Sequence, residues 1–105
     1  MGMDYSFWKY KSGADPEDQK VYELLSEGIH VDDVEELPIA EIVEKIELSF
    51  QDSISKESFQ IFTTPQFVRV DVYGAMPNDE VNKLIDIMLE YDCPLFDAQI
   101  GVRFG

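Results

Sequence analysis

The segment Phe67-Val-Arg-Val-Asp-Val-Tyr73 restricts the possible folds more than any other stretch of the chain. Valine stands at every second position, and charged or aromatic residues stand between. A strand has a side-chain period of two, so this run predicts a strand with one buried and one exposed face. Val68, Val70 and Val72 are expected beneath helices, which turns Phe67, Arg69, Asp71 and Tyr73 to an open sheet face. Another strand-like run, Phe59 to Thr63, precedes it across Thr64-Pro65-Gln66, so the pair reads as a hairpin.

Around this hairpin the apolar period changes to that of a helix. Asp15-Pro16-Glu17-Asp18 has the composition of a helix start, Val21, Leu24 and Leu25 form a short stripe, and Gly28 is placed to end it. The segment from Ile29 to Leu37 reads as irregular, with Val31, Val34 and Leu37 touching the core. Pro38 opens a second helix, whose stripe is Ile39, Ile42, Val43, Ile46 and Phe50. Residues 51–57 read as a polar loop. A third helix, capped by Asn78, carries Val81, Leu84, Ile85 and Met88 and stops at Cys93-Pro94. Tyr5 to Tyr10 reads as a first strand and Ala98 to Phe104 as a last one.

Counting the first two helices as one broken crossover gives an α+β fold of the ferredoxin-like plan, β-α(α)-β-β-α-β. That plan is an antiparallel sheet with its helices on one face, leaving the other face open. Length fits one domain, 1–105, with Met1–Met3 expected to be disordered or cloning-derived. Alternation places Ala98, Ile100, Val102 and Phe104 inside and Arg103 outside. Lys9 implies that Tyr5 and Phe7 share the open face, with Trp8 inside. The candidate sheet-face site is therefore Phe67, Arg69, Asp71, Tyr73, Arg103 and Lys9. Aromatic anchors beside arginines match the composition of binding hot spots.

Charge supplies the other candidate. The chain has 22 acids against 8 bases, a net of −14. Residues 15–47 hold twelve acids and two bases, a net of −10, whereas residues 58–76 hold only Arg69 and Asp71. An acidic face built on Asp32, Asp33, Glu35, Glu36, Glu41 and Glu44 is a candidate docking site for a basic protein. The same charge opposes nucleic acid. No apolar run approaches the ~20 residues of a membrane span, so no membrane partner is expected, and a single cysteine fits a cytoplasmic location.

Catalytic and metal signatures do not emerge. His30, the sole histidine, sits in an acidic irregular segment, and Cys93 lacks the cationic neighbours of a reactive thiolate. The six glycines are dispersed, without a phosphate-loop pattern, and the acidic pairs lack the calcium-loop spacing. No cofactor or metal is expected, and the chain reads as non-catalytic. The segments Phe59-Gln-Ile-Phe-Thr-Thr-Pro-Gln-Phe67 and Cys93-Pro-Leu-Phe-Asp97 resemble parts of small uncharacterised bacterial proteins. In size and acidity the chain resembles toxin-immunity proteins, which neutralise basic toxin domains; the resemblance implies a basic partner and assigns no residue roles. The alternative from the fold plan is a dimeric ferredoxin-like ligand-binding or enzyme domain, in which Arg69, Arg103 and Lys9 hold an anion. The chain is expected to be a monomer, or a homodimer through its sheet face.

Overall fold

The described residues form five strands and three helices in the order β1 (Met3–Phe7), α1 (Asp18–Ser26), α2 (Ile39–Phe50), β2 (Phe59–Thr64), β3 (Phe67–Val72), α3 (Asn78–Leu89), β4 (Leu95–Asp97) and β5 (Val102–Phe104). The structure is a computed structural model and describes residues 3–52, 59–74 and 76–104. Most of the polar loop expected at 51–57, and Met1-Gly2 of the expected leader, lie outside the described residues; Met3 belongs to β1. The strands form one sheet in the order β2-β3-β1-β4-β5, and every neighbouring pair is antiparallel. The fold is α+β.

Both faces of this sheet are covered, which corrects the expectation of helices on one face only. On one side Ile42, Ile46 and Phe50 of α2 and Leu84, Ile87 and Met88 of α3 pack on Tyr5, Phe7, Val68, Val70, Val72 and Leu95. Burying each such side chain is worth about 1.5–3 kcal/mol before entropy is counted. On the other side Val21 and Leu25 of α1 pack with Trp8, Val34, Phe67 and Phe96. A sheet face bearing Phe67 and Phe96 beside Trp8 is too apolar to leave in water, and α1 brings the stripe that covers it.

The change of face happens between α1 and α2. Gly28, at φ 78°, ends α1 by letting its own N–H reach the Leu25 carbonyl (3.0 Å) and the Ile29 N–H reach the Leu24 carbonyl (3.0 Å). The chain then runs past the β2–β3 turn, where the Leu37 N–H donates to the Pro65 carbonyl at 2.8 Å. It enters α2 on the far face. The two helices are separate covers for opposite sides, not one broken crossover.

β1 is the central strand and is buried on both faces, so alternation carries no signal there. Tyr5 and Phe7 lie under α2 and α3, not on an open face, while Ser6 and Trp8 face α1. The last strand also differs from expectation. Asp97 folds the chain back: its carboxylate accepts the Gln99 N–H at 2.9 Å and its carbonyl accepts the Gly101 N–H at 2.8 Å. Residues 98–101 are therefore a turn, with Gly101 at φ 67°. Ile100, Val102 and Phe104 end up 62%, 43% and 51% exposed instead of inside. Helix starts shift slightly too, with α1 beginning at Asp18, beyond Asp15-Pro16. Asn78 is the first residue of α3, not its cap.

Candidate partner-binding surfaces

The acidic segment after α1 is held in place from both sides. The Gln66 side chain, buried in the β2–β3 turn, accepts the Val31 N–H at 2.9 Å and donates to the Val31 and Val34 carbonyls, both at 2.7 Å. From the other side the Lys11 N–H donates to the Asp33 carbonyl and the Glu35 N–H to the Lys9 carbonyl, each at 2.8 Å. Val34 faces inward while Asp32, Asp33 and Glu36 are exposed. Half-buried Glu35 lies 3.4 Å from Lys9 Nζ, and Asp92 is 3.6 Å from the same nitrogen. These carboxylates raise the Lys9 pKa, the hydrogen bond Lys9 donates to Glu35 first among the causes. His30 is exposed beside Asp32, 3.2 Å away.

On α2, Glu41 and Glu44 are both exposed but face different neighbours. Glu41 accepts the Tyr91 hydroxyl at 2.6 Å, and that bond is the main reason the phenol pKa is raised. Lys45 pairs with Glu90 at 2.8 Å and sits over the Tyr91 ring at 5.1 Å, so this side of α2 faces α3. Glu44 is on the outward side. Glu47, about one turn further on, is also exposed.

The six residues expected to share an open sheet face do not form one patch. Phe67 is enclosed, correcting its expected exposure, with its ring 6.1 Å from Trp8 and 6.4 Å from Tyr22. Arg69 donates to both oxygens of Asp71, at 2.9 and 3.2 Å, and lies 4.7 Å over the Phe62 ring. Tyr73 is 60% exposed beyond the end of β3, where its hydroxyl donates to Gln60 at 2.9 Å. Arg103 shares a cross-strand row with Arg69 through Ser6 and Phe96. Three strand spacings place it roughly 14 Å away. The Phe96 ring between them packs 5.3 Å from Tyr22 of α1. Arg103 is spent on the fold: it donates to the Trp8 carbonyl at 2.8 Å and lies over the Tyr10 and Trp8 rings at 4.5 and 5.4 Å.

Two tyrosine–aspartate bonds, not apparent in the sequence, tie α1 and its approach to the fold. Tyr10 donates to Asp18 at 2.5 Å, and Tyr22 donates to Asp4. The second bond, with the Arg69–Asp71 pair, relieves two carboxylates that the strand register sets opposite each other, Asp4 and Asp71. Burial, followed by the bond to Asp4, pushes the Tyr22 pKa up to about 12.

Burial pushes the Cys93 thiol up to about 12, so it holds its proton at neutral pH. A cleft of about 330 Å³ opens between the end of α2 and the start of α3, lined by Ser49, Asp52, Asp79, Glu80 and Lys83 among others. Lys83 is already turned across it, donating to the Ser49 carbonyl at 3.1 Å. Among the described residues no three His, Cys, Asp or Glu side chains converge to hold a metal ion, and no helix is long and apolar enough to cross a membrane. No family model, curated protein or solved structure matches the chain.

Proposed function

We propose that this protein is a non-catalytic binding module of the immunity type that engages a basic protein partner. The observation that carries the reading is the disposition of charge. The acids of 32–36 and of α2 project outward from a backbone fixed by Gln66 and by the α2 core stripe. Among the described residues, Asp33, Glu36, Glu44 and Glu47 are exposed and have no cation beside them. Five bases, by contrast, are engaged within the fold: Lys9, Lys45, Arg69, Lys83 and Arg103. An outward field of one sign accelerates the approach of a cationic partner and selects against acidic ones.

The same disposition weighs against the anion-binding alternative. A ligand on Arg69, Arg103 and Lys9 would have to displace Asp71, Trp8 and Glu35, and α1 stands between the two arginines. We also read β1 to β4 with α2 and α3 as a ferredoxin-like unit, extended by β5 and by α1 on the opposite face. The order β2-β3-β1-β4, antiparallel throughout, supports this.

The experiment is affinity capture with the purified chain at 50 mM and 500 mM salt, comparing wild type with a variant carrying Asp33→Lys and Glu36→Lys. A basic protein captured at low salt, released at high salt and lost with the charge reversal is the expected result. Binding indifferent to both salt and reversal overturns the electrostatic reading.

A further inference from the structure

We infer that the free edge of β2 receives an extended basic segment of the partner as an added strand. The inference rests on the basic-partner reading above and specifies where and how that partner binds. Among the described residues β2 ends the sheet and pairs only with β3, so its outer side offers backbone N–H and C=O groups to a further strand. It runs for six residues, Phe-Gln-Ile-Phe-Thr-Thr, with no charge and no proline. Natural edges of that length usually carry a lysine, a proline or a bulge that discourages pairing. The opposite edge, β5, has only three residues.

Charge around the β2 edge identifies the occupant. α2 lies over the inner face of this strand, with the Phe50 ring 5.5 Å from Phe59. Successive helical residues turn by about 100°. Since Glu41 and Lys45 face α3 and Ile42, Ile46 and Phe50 face the sheet, Glu47 is turned away from α3, to the side over the β2 edge, and Glu44 points outward between the two sides. At the far end of the strand the Leu37–Pro65 bond brings the 32–36 segment alongside the turn, with Asp33 and Glu36 exposed. The other face of the edge presents Gln60, Phe62 and Thr64. An added strand would lie about 4.8 Å beyond β2, with alternate side chains on each face. Lysine or arginine at every second position meets Glu47 of α2 and, towards the turn, the acids of the 32–36 segment, and apolar or small residues between them meet Phe62. A second copy of this chain is a poorer occupant. A two-fold pairing of β2 edges that keeps the same sheet faces together would set the glutamates of two α2 helices against each other.

The test uses two synthetic octapeptides of equal charge with the full-length chain. One alternates lysine with valine and threonine; the other has proline in place of valine and threonine, which removes the strand donors. Amide exchange and chemical shifts are followed by NMR, and affinity by titration. The alternating peptide is expected to bind at least tenfold more tightly and to slow exchange at alternate amides of residues 59–64. A Glu44→Lys/Glu47→Lys variant, altered only at exposed helix positions, should bind it roughly tenfold more weakly with a melting temperature no lower than that of wild type. Equal binding of both peptides, or shifts confined to α1 or the 32–36 segment, overturns strand addition while leaving the basic-partner reading intact. If neither peptide binds but a basic protein is captured, strand addition alone is overturned; if capture is also empty, both readings fall.

Discussion

Gln66 is the residue on which the acidic segment depends, and removing its amide should cost more than its position in a turn suggests. The side chain is 3% exposed and makes three hydrogen bonds to the backbone of Val31 and Val34. Each contributes about 1 kcal/mol net, and a buried backbone group left without a partner costs at least as much. Gln66→Ala should therefore destabilise by about 3 kcal/mol. Gln66→Glu is more informative. The amide nitrogen donates to two carbonyls, so a carboxylate there would face two acceptors at 2.7 Å and protonation would restore one donor. The new carboxyl should thus titrate above its unfolded value of about 4.3 in the folded state. With the folded pKa raised, its contribution is fully present below about pH 4.3 and is lost as pH rises through the folded pKa. The variant's deficit against wild type should be smallest in acid and largest at neutral pH. Urea unfolding followed by the fluorescence of Trp8, the single and fully buried tryptophan, reports both effects. At a slope of roughly 1.5 kcal/mol per molar, the alanine variant's midpoint should fall by about 2 M. A fall under 0.5 M, or a Gln66→Glu deficit constant between pH 7 and pH 4, would refute the account.

Three further outcomes follow from side chains of the two cores and their borders. Arg103→Ala should cost about 1–2 kcal/mol and shift Trp8 emission, through loss of the bond to the Trp8 carbonyl and the stacking on Trp8 and Tyr10; an unchanged emission spectrum contradicts it. Tyr22→Phe should remove part of the protein's alkaline sensitivity. Because the folded pKa is raised to about 12, the tyrosine's contribution is present below about pH 10 and lost as pH rises through 12. Thermal melts at pH 8 and pH 11 should therefore converge in the variant relative to wild type. Cys93, buried with its pKa near 12, should resist a disulfide reagent at pH 8 and react promptly in urea, a contrast measured by absorbance. Rapid labelling of the folded chain would mean that the thiol is accessible.

The sequence disclosed elements better than it disclosed their sides. The β3 valines and the α2 stripe were legible because each has one buried face, which leaves a period in the sequence. β1 has two buried faces and leaves none, so Tyr5 and Phe7 were assigned to the wrong side. The passage of α1 to the opposite face depends on Gln66 and on the Leu37–Pro65 bond, contacts between residues about thirty apart that no local pattern encodes. The Asp97 turn was hidden because Ala98 to Phe104 alternates as a strand would, and its side-chain acceptor lies just before that run. Of the candidate surfaces, the acidic set was legible as charge but not as geometry. The charge-free run Phe59 to Thr64 was visible as a strand, yet nothing local identifies it as a sheet edge.

The interactions that hold this fold are largely separate from those that give it its charge. Its second core depends on aromatic rows, on Tyr10–Asp18 and Tyr22–Asp4, on Gln66 and on an inward Arg103. Glu44, Glu47, Asp33 and Glu36 take no side-chain part in any of these. At exposed positions of α2, lysine or glutamine would satisfy the helix as well as glutamate does. Accumulated like charge also repels itself, so these acids weaken the compact state slightly. Folding therefore does not account for them. Since Glu47 lies on the side of α2 over an uncharged strand edge and Glu44 points outward beside it, the proposed recognition of a cationic strand would account for both features at once. Solubility would account for the acids alone, and would leave the bare edge unexplained.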